Sequence, residues 1–248
     1  MINKNTLKFL KDLKLNNSKE WLDDNKKSYE NAKNDILTLT SELITSISEL
    51  DKTISNAHLD PKKCITRLNR DLRFAKDKTP YKTDYYIVLN KNGKNSPSAF
   101  YYLHIEPDNC FVGGGVYNPQ LDQLKKIRQE IDYAFDEWTT IINDKKFKKA
   151  FPSGINNSGV LSRTPKDFDE ASKANEFLRM KGFYTMKKLT DKELVTTDTF
   201  DKINSYFKTT KPLVDFLNRA IENEWKKMLK YYQHLLFKAV KDRPNLKF

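Results

Sequence analysis

The apolar residues in the first part of the chain recur at steps of three and four residues, which predicts helix over roughly residues 5 to 50. A short first helix is expected to end at Asn16-Asn17, where two polar residues interrupt the pattern. Ser18 is then placed as the N-cap of a long helix, because its hydroxyl oxygen accepts a hydrogen bond from a free backbone N–H. The apolar stripe of that helix comprises Ile36, Leu39, Leu43, Ile44, Ile47 and Leu50.

The spacing changes in the middle of the chain, where aromatic and β-branched residues form short segments between turn sequences. Asn92-Gly93 separates the first segment from the second, and Pro107-Asp108-Asn109 separates the second from the third. Because both are turn sequences, we predict an antiparallel meander of three strands. The strand segments are YYIVLN (85–90), AFYYLHIEP (99–107) and CFVGGGVY (110–117).

Helical spacing returns after the predicted strands. Pro119 suits the first turn of a helix, where its missing N–H would have no helical partner. The residues expected on one side of this helical region are Leu121, Leu124, Ile127, Ile131, Phe135, Trp138 and Ile142.

The remaining segments complete the prediction of the fold. The sequence FPSGINNSG (151–159) has the composition of a loop, and residues 160–166 and 182–189 are each expected to add a strand. Helix is expected again from Thr199, with an interruption near Pro212. We therefore predict one α+β domain over residues 1–221, with a mostly antiparallel sheet packed with a long N-terminal helix and C-terminal helices.

The last segment, residues 222–248, is predicted to form a basic amphipathic helical extension packed on that domain. A helix of this kind also suits a membrane surface or a partner protein, so these alternatives stay open. Its apolar stripe comprises Trp225, Leu229, Tyr232, Leu236 and Ala239, and the lysines around it are Lys226, Lys227, Lys230, Lys238 and Lys241.

Length and composition fit a globular protein of a reducing compartment. The chain has 248 residues, of which 38% are hydrophobic and 12% aromatic, enough for an ordinary core. Cys64 and Cys110 are too few for a disulfide framework and are expected to be buried thiols. The N-terminal sequence has no continuous apolar stretch of a secretory leader, and no segment approaches the ~20 apolar residues of a spanning helix. We expect a cytoplasmic location and no membrane span.

The formal net charge of +12 favours anionic partners such as phosphate, nucleic acid, acidic protein or a membrane surface. Lysine and asparagine are also what an AT-rich genome encodes on any protein surface. The position of the charges must therefore decide between a functional and a compositional origin.

One segment, TRLNRDLRFAKDKTPYKT (66–83), combines concentrated positive charge with residues that suit a fixed structure, namely Leu68, Leu72, Phe74, Pro80 and Tyr81. Arg67, Arg70 and Arg73 lie at three-residue spacing, so on a helical turn they would share one side, whereas on a strand Arg70 would point away. Asp71 is placed to neutralise one of them through a bidentate pair. Lys78 and Lys82 flank Pro80-Tyr81.

The pattern R-x-x-R-D-x-R-F-x-x-D-K-x-P-Y-K-T, from Arg67 to Thr83, resembles the signature of a widespread family of conserved hypothetical proteins found in bacteria and fungi. The segments FLKDLKLNNSKEWLDDNKKSYE, YYLHIEP, VGGGVYNP, LKKIRQEI and LSRTPKDF follow in the order of that family, so the resemblance covers roughly residues 6 to 220. It implies no activity, because the family has no assigned one. Ala75 stands where a serine is usual in the family, and Asp167 where a glycine is usual.

Two interpretations of the arginines follow. In the first, Arg67, Arg70, Arg73, Lys78 and Lys82 form an anion-binding site, since the planar guanidinium suits phosphate and carboxylate. In the second, the arginines form internal salt bridges that tie the long helix to the sheet. The acids considered for those bridges are Asp71, Asp84 and Glu106. Three further cations that the family pattern contains would enlarge an anion site if they converge with the block: Arg128, Arg163 and Lys166.

Alternation along AFYYLHIEP places Tyr102, His104 and Glu106 on one face of the sheet. Such a row is a candidate acid/base group, with His104 as the catalytic residue, because histidine titrates near neutrality and a carboxylate would orient it. The alternative is a half-buried histidine bonded within a polar sheet face.

Gly113-Gly114-Gly115 interrupts the third predicted strand and matches no nucleotide-binding loop motif. Glycines weaken a strand unless something lies close to the backbone. One explanation of the three glycines is a bulge or a helix packed closely over the strand. The other is that a ligand, or the arginine block, covers the exposed backbone amides there.

These observations support three functions and do not decide whether the protein is an enzyme. The first is a basic cleft that binds a phosphate-rich ligand, such as a nucleotide, a phosphorylated metabolite or a nucleic-acid end, with Tyr81 or Tyr102 available to stack. The second is nonspecific nucleic-acid binding, and the third is a structural or partner-binding module. Cysteine and histidine spacing predicts no zinc site, and no cofactor is expected.

Overall fold

A computed structural model describes residues 2–222 except 92 and 95. The predicted extension over 222–248 therefore lies outside the described residues, apart from Glu222. The helices of the N-terminal part are α1 (Lys4–Leu15), α2 (Lys19–Asp24), α3 (Lys26–Leu50), α4 (Lys52–Asn56) and α5 (Pro61–Cys64).

The first two helices begin at the predicted boundaries. α1 ends at Leu15 with Asn16 as its C-cap, and Ser18 caps α2 by accepting a hydrogen bond from the backbone N–H of Trp21 at 3.2 Å. The prediction of one continuous helix from residue 18 to residue 50 is wrong, because the chain bends at Asn25 between α2 and α3. The side-chain amide of Asn25 donates to Trp21 O at 2.8 Å, a local bond of the kind that competes with regular helix.

Five strands of the described part of the chain form one antiparallel sheet, and the predicted meander is confirmed. The order is β1-β2-β3, after which β4 and β5 both pair with β3. The predicted strand over 160–166 is wrong, since that segment contributes only a single bridge between Val160 and Met180. The strands are β1 (Tyr85–Leu89), β2 (Phe100–Ile105), β3 (Cys110–Val116), β4 (Phe183–Tyr184) and β5 (Lys187–Leu189).

The two faces of the sheet differ in what covers them. Tyr101, Leu103 and Ile105 point from β2 into the hydrophobic core, as alternation predicted. Tyr102 and His104 lie on the opposite face, which carries further aromatic side chains from the neighbouring strands. The face with Tyr101, Leu103 and Ile105 is thus part of the hydrophobic core. The face with Tyr102 carries aromatic side chains that line a cavity.

The rest of the chain adds helices around the core face. Pro119 precedes the N-cap residue Gln120, so the prediction that it occupies a first helical turn is wrong. The predicted single helical side also includes Leu121, which is instead exposed. The helices are α6 (Leu121–Tyr133), α7 (Phe135–Asn143), α8 (Lys145–Ala150), α9 (Asn175–Leu178), α10 (Asp191–Leu194) and α11 (Thr199–Glu222).

α11 runs through Pro212 without interruption, contrary to the prediction. Leu213, Val214 and Phe216 are buried directly after the proline, so tertiary packing holds the helix where the proline removes one backbone hydrogen bond. This packing brings α11 onto β3. None of the helices within residues 2–222 has the length and apolar character needed to cross a bilayer.

Candidate functional site

The segment 66–83 is a loop that leaves and returns beside the edge strand β1. Its two arms pair through an isolated bridge between Asn69 and Tyr81. Asn17 holds Tyr81 with two side-chain hydrogen bonds, donating to Tyr81 O at 2.8 Å and accepting from Tyr81 N at 3.0 Å. Leu68 and Tyr81 are buried, as expected of fixing residues, but Phe74 is 95% exposed and fixes nothing.

Arg70 is neutralised inside this loop. Its Nη1 lies 2.5 Å from the carboxylate of Asp77 and also donates to the carbonyl and hydroxyl oxygens of Thr79. Hydrogen bonds from the Thr79 backbone N–H, and secondarily from Arg70, lower the pKa of Asp77 to about 2. Arg70 therefore acts as a structural link between the two arms.

Arg73 is neutralised as well. Its Nε and Nη2 donate to the two carboxylate oxygens of Asp71 at 2.9 and 2.6 Å, which is the bidentate pair predicted for Asp71. The hydrogen bonds from Arg73 lower the pKa of Asp71. Both residues remain exposed, so this pair orders the loop without entering a cavity.

The lysines of the block do not form a common site with these arginines. Lys78 Nζ donates to Leu72 O at 3.0 Å, which closes the tip of the loop. Lys82 is half-buried, and its backbone N–H donates to Leu68 O at 2.7 Å. The five cations predicted to converge are thus distributed around the loop.

Arg67 has a different environment, because it lines a cavity of about 260 Å³ beside the loop. We call this cavity the Arg67 pocket. α3 contributes one wall, and β1 contributes Tyr85 to its floor. The lining residues are Tyr29, Lys33, Leu37, Lys62, residues 65–69 and Tyr85.

The charged side chains that line the Arg67 pocket are all positive. Lys33 comes from α3, Lys62 from α5 and Arg67 from the loop, so three separate elements bring these cations together. None of the three makes an ion pair within residues 2–222. Their positive potential is therefore not cancelled locally, in contrast to that of Arg70 and Arg73.

Tyr85 lines the pocket with its ring and carries a buried hydroxyl. The residue is 3% exposed, and its hydroxyl has no hydrogen-bond partner in the described part of the chain. Burial, with a smaller contribution from Tyr29, raises the pKa of the Tyr85 phenol above its ordinary value. The phenol therefore stays protonated at neutral pH and can donate a hydrogen bond, and a buried donor without a partner is rare in proteins.

The additional cations lie elsewhere. Arg128 on α6 is buried and donates to Met180 O at 2.9 Å, near β4. Burial lowers the pKa of Arg128. Arg163 and Lys166 are exposed in the segment before α9. Because β4 and the Arg67 pocket lie at opposite edges of the sheet, these residues do not converge with Arg67.

His104 is enclosed by its neighbours. Its ring is 4% exposed and lies between Tyr86 and Phe111, with both ring centroids at 4.3 Å. Nδ1 lies 2.9 Å from Asn109 O, and Nε2 faces the carboxylate of Asp84 at 3.6 Å. These contacts favour the structural interpretation of this histidine.

The carboxylate next to His104 is thus Asp84, whereas the sequence pattern suggested Glu106. Glu106 instead accepts from the side-chain amide of Asn109 at 2.8 Å and lies 3.6 Å from Lys14. Tyr102 donates its hydroxyl to Thr185 O at 2.5 Å. Tyr102 and His104 therefore share a face of β2, whereas Glu106 lies beyond the end of the strand, and the described contacts of the three do not link them into one hydrogen-bonded chain.

The three glycines of β3 permit close packing on both sides of the sheet. A Cβ at Gly114 would lie 2.8 Å from the Thr210 side chain of α11. A Cβ at Gly113 would lie 2.0 Å from Thr185 O, and one at Gly115 would lie 2.2 Å from Phe183 O. Close packing of α11 over Gly114, as one of the two predicted explanations proposed, accounts for that glycine. The backbone of residues 183–185 likewise lies close to Gly113 and Gly115.

Sequence reasoning missed Lys33, Lys62 and Tyr85 as partners of Arg67. Lys33 and Lys62 occur among many exposed lysines, and Tyr85 reads as an ordinary strand residue. Nothing in the local pattern distinguishes them. Only the packing of α3 and α5 beside β1 brings them to one cavity.

Comparison with known proteins identifies a family for this chain. The sequence model of a family described as conserved hypothetical protein (DUF2461) matches residues 5–216. No curated protein and no solved structure matches the chain. The matched range contains the 66–83 loop and all residues of the Arg67 pocket, so the predicted resemblance is confirmed at the level of the family.

Proposed function

The chain belongs to the DUF2461 family of conserved hypothetical proteins, and we propose that it binds a small phosphate-bearing ligand in the Arg67 pocket. The observation that carries this proposal is the convergence of three cations without ion pairs in the described chain, Lys33, Lys62 and Arg67, on one cavity whose charged lining residues are all positive. Phosphate oxygens accept hydrogen bonds from guanidinium, ammonium and hydroxyl groups alike. An oxyanion in the pocket would therefore neutralise the three cations together.

The size of the pocket favours a small ligand. A cavity of about 260 Å³ is slightly below the ~300 Å³ at which pockets for drug-sized ligands begin. A phosphoryl group with a short organic remainder fits such a volume better than an extended polymer does. Leu37 and the apolar body of Tyr29 provide contacts for that remainder.

The proposal predicts different effects for two arginines of the same loop. Arg67→Ala is expected to weaken binding of pyrophosphate by about tenfold or more, because a hydrogen bond to a charged group contributes ~1.5–3 kcal/mol. Arg73→Ala removes the same charge from a pair with Asp71 outside the pocket, so it is expected to leave binding unchanged. Thermal denaturation at increasing pyrophosphate, with ionic strength held constant, measures both, because a ligand of the folded state raises the melting temperature.

Equal losses in the two variants would contradict the pocket and favour the general positive surface. A short single-stranded oligonucleotide distinguishes that alternative further. Nonspecific binding through many phosphates falls steeply with salt and depends little on which arginine is removed. Binding in the pocket is expected to depend on Arg67 at every salt concentration.

A further inference from the structure

The second face of the sheet carries a cleft of about 410 Å³ that is separate from the Arg67 pocket. Tyr85 and Tyr86 are neighbours on β1 but point to opposite faces, so one lines the pocket and the other lines the cleft. Val88 and Met186 complete the lining. The aromatic cleft, as we call it, is walled by Tyr86, Phe100, Tyr102, Phe111, Tyr117 and Tyr184.

The rings of the aromatic cleft hold one another in place. Tyr102 packs edge-on against Phe111 and Phe100, with ring centroids at 5.9 Å in both pairs. Its hydroxyl is fixed by the 2.5 Å hydrogen bond to Thr185 O. Tyr117 lies 5.3 Å from Tyr184 at the other end. The cleft is thus preformed, which reduces the ordering that a ligand must impose.

The cleft is not positively charged, although the protein carries a net charge of +12. No charged side chain is among the described lining residues. Burial raises the pKa of Tyr86 to about 12, and the carboxylates of Asp84 and Glu106 contribute to that rise.

A carboxylate lies behind one end of the cleft. Asp84 faces His104, whose ring lies between the cleft residues Tyr86 and Phe111 with both ring centroids at 4.3 Å. Lys188 pairs with Phe111 in the strand ladder and is exposed, but it does not line the cleft. The faces of aromatic rings are electron-rich, so the walls and the nearby carboxylate both favour a positive ligand.

We propose that the aromatic cleft binds the methylated ammonium group of a small organic cation. Several ring faces around one group provide cation–π attraction, and methyl groups fill the apolar space between the rings. A volume of about 410 Å³ accommodates the ammonium group together with a short organic stem. Tyr117 is 57% exposed, so its phenol hydroxyl is available to a polar group on that stem.

Choline and its uncharged isostere 3,3-dimethylbutan-1-ol test this proposal, because they differ in charge but hardly in shape. Calorimetric titration is expected to show binding of choline and at least about tenfold weaker binding of the isostere. Tyr117→Ala is expected to weaken choline binding by roughly 3- to 30-fold, the range of one cation–π contact. Because Tyr117 is 57% exposed, this variant is expected to fold.

Two further variants make the result specific. Phe74→Ala removes a 95% exposed aromatic ring from the 66–83 loop and is expected to leave choline binding unchanged. Asp84→Asn keeps the shape of the side chain but removes its charge, so it is expected to weaken the binding of choline more than the binding of the isostere.

Equal affinity of the protein for choline and the isostere, or no binding of choline, would overturn the proposal. A trimethyllysine peptide that binds far more tightly than choline would also overturn it, by assigning the cleft to a protein partner.

Discussion

Gly113→Ala is expected to lower the free energy of unfolding by at least about 3 kcal/mol. The added Cβ would lie 2.0 Å from the backbone oxygen of Thr185 and 2.9 Å from the hydroxyl of Tyr102. Neither atom is free to move, because Tyr102 donates to that same oxygen. The segment 183–189 would therefore have to separate from β3, with loss of its pairing.

Chemical denaturation of the two proteins measures this loss. Gly154→Ala is the matched control, since nothing lies within 4 Å of a Cβ at that position. Its φ of +67° makes alanine unfavourable by ~1–2 kcal/mol through backbone strain alone. If Gly113→Ala proves no more destabilising than Gly154→Ala, the close approach of Thr185 does not determine stability.

Asp51→Ala is expected to lower the free energy of unfolding by about 2–4 kcal/mol. Asp51 is 3% exposed and accepts three hydrogen bonds at the junction of α3 and α4. One carboxylate oxygen accepts from Tyr101 Oη at 3.0 Å, and the other accepts from the backbone N–H and the hydroxyl of Thr53 at 2.9 and 2.7 Å. Alanine would leave the Tyr101 hydroxyl buried without a partner.

Asp51→Asn separates hydrogen bonding from charge in this cluster. The amide oxygen retains an acceptor for the helix cap, so this variant is expected to lose clearly less stability than Asp51→Ala. Tyr101→Phe removes the other partner, and its effect should be smaller in the Asp51→Ala background than in the natural protein. Equal losses for Asn and Ala, measured as urea unfolding midpoints with unchanged slope, would contradict this assignment.

The strands were predictable because their signals are local. Alternation and turn sequences placed the three strands of the meander within two residues of the observed β1, β2 and β3. The same local reasoning failed at Pro212 and over residues 160–166. At Pro212 the buried residues that follow the proline maintain the helix, and over 160–166 the described chain offers a single bridge, from Val160 to Met180, rather than a ladder.

The functional site was less predictable than the fold. Asp71 and Arg73 lie two residues apart, so their pair was evident in the sequence. The pair of Arg70 with Asp77 depends on how the loop folds, and it removes Arg70 from the candidate site. Arg67 remains in the candidate anion site because α3 and α5 bring Lys33 and Lys62 to the same pocket. Convergence of separate elements is a tertiary property that residue spacing does not encode.

A crystal soaked in tungstate, a tetrahedral oxyanion that resembles phosphate, tests the Arg67 pocket most directly. The account predicts an anomalous density peak bounded by Lys33, Lys62 and Arg67, with one oxygen at hydrogen-bond distance, ~2.5–3.0 Å, from the guanidinium of Arg67. An empty pocket in a crystal whose other basic surfaces hold tungstate would contradict the proposed function.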